Sequence, residues 1–330
     1  CQPDGVDCGG IRVFRAYRKK AGIPGLRFFH PRWSGLWSAL SRANCDVYYQ
    51  RGAEHETGQV ALWCRLHHRR FVFGVASDPD CDHSLPALKS CKERVLYRIG
   101  LRLAHGVTTQ TVTQRSLLRQ SMGIESVLIR NCGWSETELS HDVCPSTGDA
   151  CPIRVLWVGR ISEEKRFEWL LDVAEQCPDI VFDVVGAPNK RSTYSSSLSQ
   201  RAALIRNVKM HGQVPYSEMV KHYRQCSVLC CTSAYEGFPN TFLEAWSQGI
   251  PVVSTFDPDD LIVANGLGWT ADSVDGIVAC LKRLARSPGT WAEVSDATLR
   301  YYRANHTPEV CLPAFERLIL QVAGCATNPA

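Results

Sequence analysis

Two glutamates, Glu236 and Glu244, stand eight positions apart in the run Ser233-Ala234-Tyr235-Glu236-Gly237-Phe238-Pro239-Asn240-Thr241-Phe242-Leu243-Glu244-Ala245. A carboxylate accepts hydrogen bonds and donates none. A pair so placed suits a ligand rich in hydroxyls, one carboxylate taking sugar hydroxyls and the other both hydroxyls of a ribose. Between them, amides near Asn240, Thr241 and Phe242 fall where a helix would start, and a helix start seats an anion such as a phosphate. Upstream, Gly159-Arg160 and Lys165 supply a guanidinium fork and a point charge, together able to clamp a diphosphate. The chemistry such a set serves is recognition of a nucleotide diphosphate sugar. The competing reading is a surface loop with a satisfied helix glutamate, beside an exposed helix-start charge cluster. The Gly-Phe-Pro-Asn-Thr insert and the strands around it favour the site.

These residues need particular elements to hold them. Residues 228–231 are a short apolar run that reads as a buried strand. Residues 242–248 read as a short helix and residues 252–254 as another strand. Glu236 would then stand at the carboxyl edge of a parallel sheet, where ligands bind, with Glu244 about two turns into the helix. Residues 153–158 read as a strand that ends at Gly159, and residues 167–176 as the helix that follows Lys165. Residues 180–185 form a further strand, 192–200 a loop with a frayed helix, 208–214 a strand and turn, and 216–225 a helix. Gly266-Leu267-Gly268 reads as a loop, and residues 274–285 and 308–322 as helices. Asp257-Pro258-Asp259-Asp260 reads as a solvated turn and His211 as structural.

The glutamate run, with Gly159-Arg160 and Lys165 before it, resembles the retaining glycosyltransferases of family 4, the glycosyltransferase group 1 proteins. The resemblance is strong over residues 150–290 and moderate over 45–132. It implies the GT-B architecture, two Rossmann-like domains facing a cleft. It also implies transfer of a hexose from a UDP- or GDP-sugar to a glycan or lipid-linked acceptor hydroxyl, in synthesis of cell-surface polysaccharide or glycolipid. By the same resemblance Glu236, Arg160 and Lys165 are catalytic, and Gly159, Gly237, Phe238, Pro239, Asn240, Thr241, Phe242 and Glu244 bind the donor. The backbone after Gly212, at Gln213 and Val214, contacts the base. No metal or other cofactor is expected, because the two cations and the helix amides offset the leaving charge. No G-x-G-x-x-G lies between a strand and a helix, which argues against a dinucleotide-binding dehydrogenase. The rivals are a non-catalytic sugar-nucleotide-binding or scaffold protein and a sugar-nucleotide epimerase of similar shape.

The first half alternates strand and helix, as a parallel sheet covered by helices requires. Strands are expected at 11–17, 46–52, 71–76, 107–111 and 126–131, with helices at 33–43, 58–66, 90–104 and 114–122. Asp46-Val47-Tyr48-Tyr49-Gln50-Arg51 and Phe73-Gly74-Val75-Ala76-Ser77-Asp78 are similar to the family's acceptor half. Where many members carry a histidine, this chain has Ser77-Asp78, which makes Asp78 the acceptor-side catalytic candidate. Many members open with a strand and a Gly-Gly loop leading into a helix. That unit is missing from its place, so the N-terminal domain is expected to be incomplete, with an open sheet edge. The expected division is an acceptor domain at 1–148, a donor domain at 149–305 and a helix at 306–330 that crosses back. Residues 145–150 serve as linker.

The 330 residues are 45% apolar and 21% charged, a globular composition with no run long enough to span a membrane. The sixteen cysteines are scattered without a CxxC pair, so zinc-ligand spacing is absent, and they read as reduced small hydrophobes of a cytoplasmic protein. The net charge of +4 is divided unevenly, with 20 Lys+Arg against 13 Asp+Glu in residues 1–148 and 17 against 20 thereafter. Basic residues gather at Arg12, Arg15, Arg18, Lys19 and Lys20, at His67, His68, Arg69 and Arg70, and at Lys89, Lys92, Arg94, Arg98 and Arg102. A solvated helix face is one reading of the last set. The other is peripheral docking on an anionic cytoplasmic leaflet. No aromatic platform is interleaved with these charges, which disfavours nucleic acid.

Overall fold

The computed structural model describes residues 6–18, 21–134, 153–188 and 192–325. The chain divides into two compact units, Cys1–Ile129 with Ala314–Ala330, and Arg130–Pro313. The expected linker at 145–150 lies outside the described residues, as do Lys19 and Lys20.

In the N-terminal unit the expected long strand at 11–17 is instead a small hairpin. Strand β1 (Val6–Cys8) pairs antiparallel with β2 (Ile11–Val13), and Gly9 and Gly10 both take positive φ in the turn. Two consecutive left-handed residues define the turn that matches strand twist, and glycine adopts them without a Cβ clash. There follow α1 (Ser34–Ala43), β3 (Val47–Arg51), α2 (His55–Leu66), β4 (Arg70–Gly74), α3 (Cys91–Leu103), β5 (Gly106–Thr109), α4 (Val112–Met122) and β6 (Val127–Leu128). Strands β3-β4-β5-β6 form a parallel sheet in chain order, with β3 at its edge, and the hairpin is a separate sheet. Phe71 and Phe73 of β4 are fully buried against Trp63 of α2, Tyr97 and Leu101 of α3 and Leu118 of α4. Helices α2 and α3 touch backbone to backbone. A Cβ on Gly58 would sit 2.3 Å from the Leu96 carbonyl oxygen, and one on Gly100 would sit 2.7 Å from Thr57. Helix α3 is held at its start by reciprocal bonds between Ser90 and Glu93.

The C-terminal unit contains β7 (Arg154–Val158), α5 (Phe167–Gln176), β8 (Val181–Val185), α6 (Thr193–Leu204), β9 (Val208–Gly212), α7 (Met219–Arg224), β10 (Val228–Cys231), α8 (Asn240–Ser247), β11 (Val252–Ser254), α9 (Leu261–Asn265), β12 (Gly268–Thr270), α10 (Val274–Arg286) and α11 (Pro288–Asn305). Its six strands are all parallel, in the order β12-β11-β10-β7-β8-β9. Strand β10 is buried along its whole length, as a strand covered on both faces must be. Phe167, Leu170, Leu171 and Ala174 of α5 recur at helical spacing and are all buried.

Several expectations needed correction here. Residues 192–200 are not a loop with a frayed helix. Ser192 caps a regular helix, α6, by accepting from the Ser195 amide. Gly266-Leu267-Gly268 is not a plain loop, since Leu267 is fully buried and Gly268 opens β12. Asp257 is no solvated turn residue, because its carboxylate accepts from the amides of Ile262 and Val263 and so starts α9. Helix α11 was not anticipated at all. Apart from the proline at its start its signals are weak, with few apolar repeats, yet Trp291 and Tyr302 on it are core residues. The last helix, α12 (Pro308–Ala323), belongs to the N-terminal unit from Ala314 on. There Phe315 meets the Tyr49 ring edge-on at 5.3 Å, and Leu318 and Val322 lie against Gly106.

Candidate functional site

The C-terminal sheet starts in the middle, at β7. It grows outward through β8 and β9, then returns to the other side of β7 with β10, β11 and β12. At that reversal the crossovers after β7 and β10 diverge to opposite faces, and a crevice opens at the carboxyl ends of the two strands. Arg160 and Lys165 follow β7, and Glu236 follows β10. The topology therefore brings these three sequence candidates to one place.

The two loops are stitched together. The Lys165 ammonium donates to the Glu236 carboxylate, and both side chains are mostly buried, 22% and 17% exposed. Ser233 Oγ donates to the same Glu236 oxygen at 2.7 Å. The Thr232 hydroxyl donates to the Lys165 carbonyl at 2.6 Å and accepts from Trp157 Nε1, and the Ala234 amide donates to the Glu164 carbonyl at 2.8 Å. Sequence reasoning missed Arg166. It takes a left-handed conformation (φ 45°), which turns its side chain across to donate to the carbonyls of Thr232 and Ser233 at 2.8 and 2.9 Å. Its guanidinium also lies 4.1 Å from the Trp169 ring centre. The only available signal was its position as the second cation in Glu163-Glu164-Lys165-Arg166. The Arg160 side chain, by contrast, is 84% exposed and among the described residues meets Glu164 at 3.4 Å.

Helix α8 begins at Asn240, two residues before its expected start. Glu244 is its fifth residue and lies a little over one turn in, not two. Pro239 precedes the helix and no side chain caps it. Of the three amides expected to be free, that of Phe242 is engaged by the Pro239 carbonyl at 3.1 Å, which leaves Asn240 and Thr241. Tyr223 of α7 donates to Glu244 Oε2 at 2.7 Å. Burial pushes the Glu244 carboxyl above its usual range, and the Tyr223 bond opposes that rise. The Phe238 and Phe242 side chains are core residues, packed on Trp246. Gly237 and Pro239 are buried too, so these four positions can offer a ligand little beyond backbone.

Gly159 and Gly186 close the ends of β7 and β8. A Cβ on Gly186 would overlap the Gly159 carbonyl oxygen at 1.9 Å, so the chains pass with no side chain between them. Gly186 in turn donates to the Gly212 carbonyl at 2.8 Å, which places the turn at the end of β9 on the same carboxyl edge. Gln213 there is exposed and Val214 half-buried. Asp78 belongs to the N-terminal unit. It follows β4 and accepts from Gln114 Nε2 at 3.1 Å, beside a buried Asp80 that accepts from Ser77 and the Ala76 amide.

Residues 152–287 match the model of the family described as Glycosyl transferases group 1. The chain is 32% identical over 146 residues to the lipopolysaccharide 1,6-galactosyltransferase of Salmonella typhimurium, a match spanning 40% of each chain. It is 24% identical over 251 residues to the amylovoran biosynthesis glycosyltransferase AmsD of Erwinia amylovora, covering 72% of this chain and 69% of that one. The structure of Anabaena Alr3699/HepE in complex with UDP and glucose superposes with a TM-score of 0.72 at 16% identity, covering 91% of this chain and 83% of that chain. The fold is thus α/β of the GT-B kind, built from Rossmann-like units.

Proposed function

We propose that this chain, whose residues 152–287 match the group 1 glycosyltransferase family model, transfers a hexose-type sugar with retention from a UDP- or GDP-sugar to a hydroxyl of a glycan or lipid-linked acceptor. The relatives named for lipopolysaccharide and amylovoran synthesis support a role in cell-surface polysaccharide or glycolipid synthesis. The neighbour holding UDP and glucose supports the donor class.

The observation that carries the reading is the Lys165–Glu236 pair at the point where the sheet order reverses. Glu236 accepts hydroxyls of the donor sugar and Glu244 accepts those of the ribose. Arg160, Lys165 and the first amides of α8 hold the diphosphate. In the transfer, the acceptor oxygen bonds to the anomeric carbon as that carbon's bond to the diphosphate oxygen breaks, and the negative charge that develops falls on the diphosphate. Groups already aimed at that charge lower the barrier without reorganising. Arg160, scarcely held by its own chain, is free to close on the phosphates. Two cations and a helix start answer for the leaving charge, so activity needs no metal. The N-terminal unit holds the acceptor, with Asp78 the candidate partner for its hydroxyl proton. The protein works in the cytoplasm, with peripheral contact to an anionic membrane.

The test is a panel of UDP- and GDP-sugars offered with glycan acceptors, in chelator, with the product anomer read by NMR. Transfer with retained configuration, lost in Glu236→Ala, is the expected result. Tight donor binding without turnover for any acceptor would favour a binding protein. Calorimetry with UDP and GDP checks the donor edge, and affinity unchanged in Arg160→Ala, Lys165→Ala and Glu244→Ala would mean that the donor site lies elsewhere.

A further inference from the structure

A second charged recess lies in the N-terminal unit, at the amino end of β4, whereas Asp78 follows that strand's carboxyl end. It has a volume of about 410 Å³ and is lined by Cys64, Arg65, His68, Arg69, Arg70 and His105. We propose that this recess binds a phosphate group, free or carried on a larger molecule.

Its charge is unbalanced. Arg69 is answered by Asp46 at 2.9 Å and by the Asn44 side-chain oxygen at 2.8 Å. Among the described residues the Arg65 and Arg70 side chains make no ion pair, which leaves two guanidiniums in excess. Two positive charges with fork geometry suit a phosphate dianion. The histidines add directed donors. His105 Nδ1 accepts from the Phe71 amide at 3.2 Å, so in the neutral ring the proton sits on Nε2 and leaves a donor. Burial, together with Arg70 and Arg65, holds His105 below its usual value, which keeps it neutral and complementary to an anion as an N–H donor. Cys64 is no competing acid, since burial pushes its thiol up to about 12.

The backbone supplies a separate observation. Helix α2 ends with the Arg69 amide bonded to the Cys64 carbonyl at 2.8 Å, and His68 takes the left-handed position of that motif (φ 53°). This is the place where glycine is strongly preferred, because a Cβ is strained there. A strained side chain at a ligand recess points toward function. His67, its neighbour, is spoken for, with its ring stacked on Trp63 at 4.3 Å. Of the two histidines in the basic turn, His68 is the one that lines the recess.

The left-handed position also gives a clean variant. His68→Gly removes the imidazole while relieving the backbone, so its melting temperature should equal or exceed the parent's. The experiment titrates inorganic phosphate and pyrophosphate by calorimetry, with uridine diphosphate in excess to occupy the donor edge. Binding is expected in the parent, weakened several-fold in His68→Gly and at least tenfold in the Arg65→Gln/Arg70→Gln double variant, with melting temperatures near the parent's. A parallel arm measures retention on phosphatidylglycerol vesicles against phosphatidylcholine vesicles. Phosphate binding lost in the double variant without loss of vesicle retention assigns a soluble source. Phosphatidylglycerol-dependent retention lost in both variants assigns a lipid headgroup. If neither variant changes phosphate binding or retention, the proposal is overturned.

Discussion

The two units use the same parts and differ in one topological decision. The N-terminal sheet runs β3-β4-β5-β6 in chain order, whereas the C-terminal sheet reverses between β7 and β10. Crossovers between parallel strands are right-handed in about 98% of cases, so a sheet laid in chain order carries its helices on one face. Helices α2 and α3, packed through Gly58 and Gly100, fit that arrangement, and the last part of α12 brings Phe315, Leu318 and Val322 against Tyr49 and Gly106. No reversal means no crevice between diverging crossovers in the described part of that sheet. In the C-terminal unit the reversal makes the crevice, and Arg160, Lys165 and Glu236, proposed to take the donor, follow its two strands. A glutamate is informative there because the strand order leaves room beside it.

The sharpest way to break this comparison is to remove one carboxylate from each unit. Glu236→Ala should reduce the transfer rate by about 10³, the scale of removing one aimed polar group from an active site. Its melting temperature should fall modestly, because Lys165 loses its partner in a largely buried pair. Asp78→Ala should cost less, because its carboxylate is already engaged by Gln114 and the developing charge falls on the diphosphate rather than on the acceptor. Equal losses in a steady-state assay would mean that the N-terminal unit contributes as much chemistry as the reversal does. Stability gives the converse test. Gly58→Ala forces a Cβ against the Leu96 carbonyl and should destabilise the N-terminal unit by about 3 kcal/mol, the upper range for overpacking. Denaturant titration reads the loss, while uridine diphosphate affinity should be unchanged. Arg166→Ala should do the opposite. Losing two charge-assisted bonds, with the left-handed strain retained because alanine keeps its Cβ, should destabilise the C-terminal unit by about 3 kcal/mol. It should also weaken uridine diphosphate binding as the Glu236 loop loosens.

A smaller effect should appear with pH. Burial holds Glu244 above its ordinary 4.5. If its carboxylate takes the ribose hydroxyls, uridine diphosphate affinity falls as the pH drops through that raised value, and Tyr223→Phe moves the midpoint higher. Calorimetry across acidic pH reads both. The stability contribution has the opposite sign. The folded form holds this proton more tightly, so the contribution is fully present below 4.5 and is lost as pH rises through the raised value. A midpoint at the ordinary value, unmoved in Tyr223→Phe, would place Glu244 outside the buried edge. The smallest expected difference is among the cysteines. Cys64 and Cys226, with thiols pushed up by burial, should resist alkylation in the native protein, while exposed Cys45, Cys91 and Cys325 react. Mass spectrometry after brief labelling decides it.

Much of this was legible in the sequence because the C-terminal unit is locally consistent. Residues 228–231 are apolar on both faces, Gly249 and Pro251 punctuate the next strand, and the two glutamates flank a segment with few alternative uses. The limits have physical causes. Helix α11 is stabilised by burying Trp291 and Tyr302 in the core, a tertiary effect that no local pattern announces. Leu267 between two glycines looks like a loop until its burial is known. Phe238 and Phe242 carried the look of ligand contacts, but their rings fill the core and leave backbone at the edge. Arg166 was hidden because its role depends on a left-handed backbone angle, which sequence seldom reveals for arginine.

That angle reaches into the motion of the unit. Active-site loops commonly open on their own, and their amides exchange with solvent long before the core's. Here the Ala234 amide is tied to Glu164, and the carbonyls of Thr232 and Ser233 before it are tied to Arg166. Opening the Glu236 loop means releasing the start of α5 as well, and Phe167 there is wholly buried. The hydrogen on Ala234 should therefore exchange on the slow schedule of strands β7 and β10, so that a position written as loop keeps the time of the sheet.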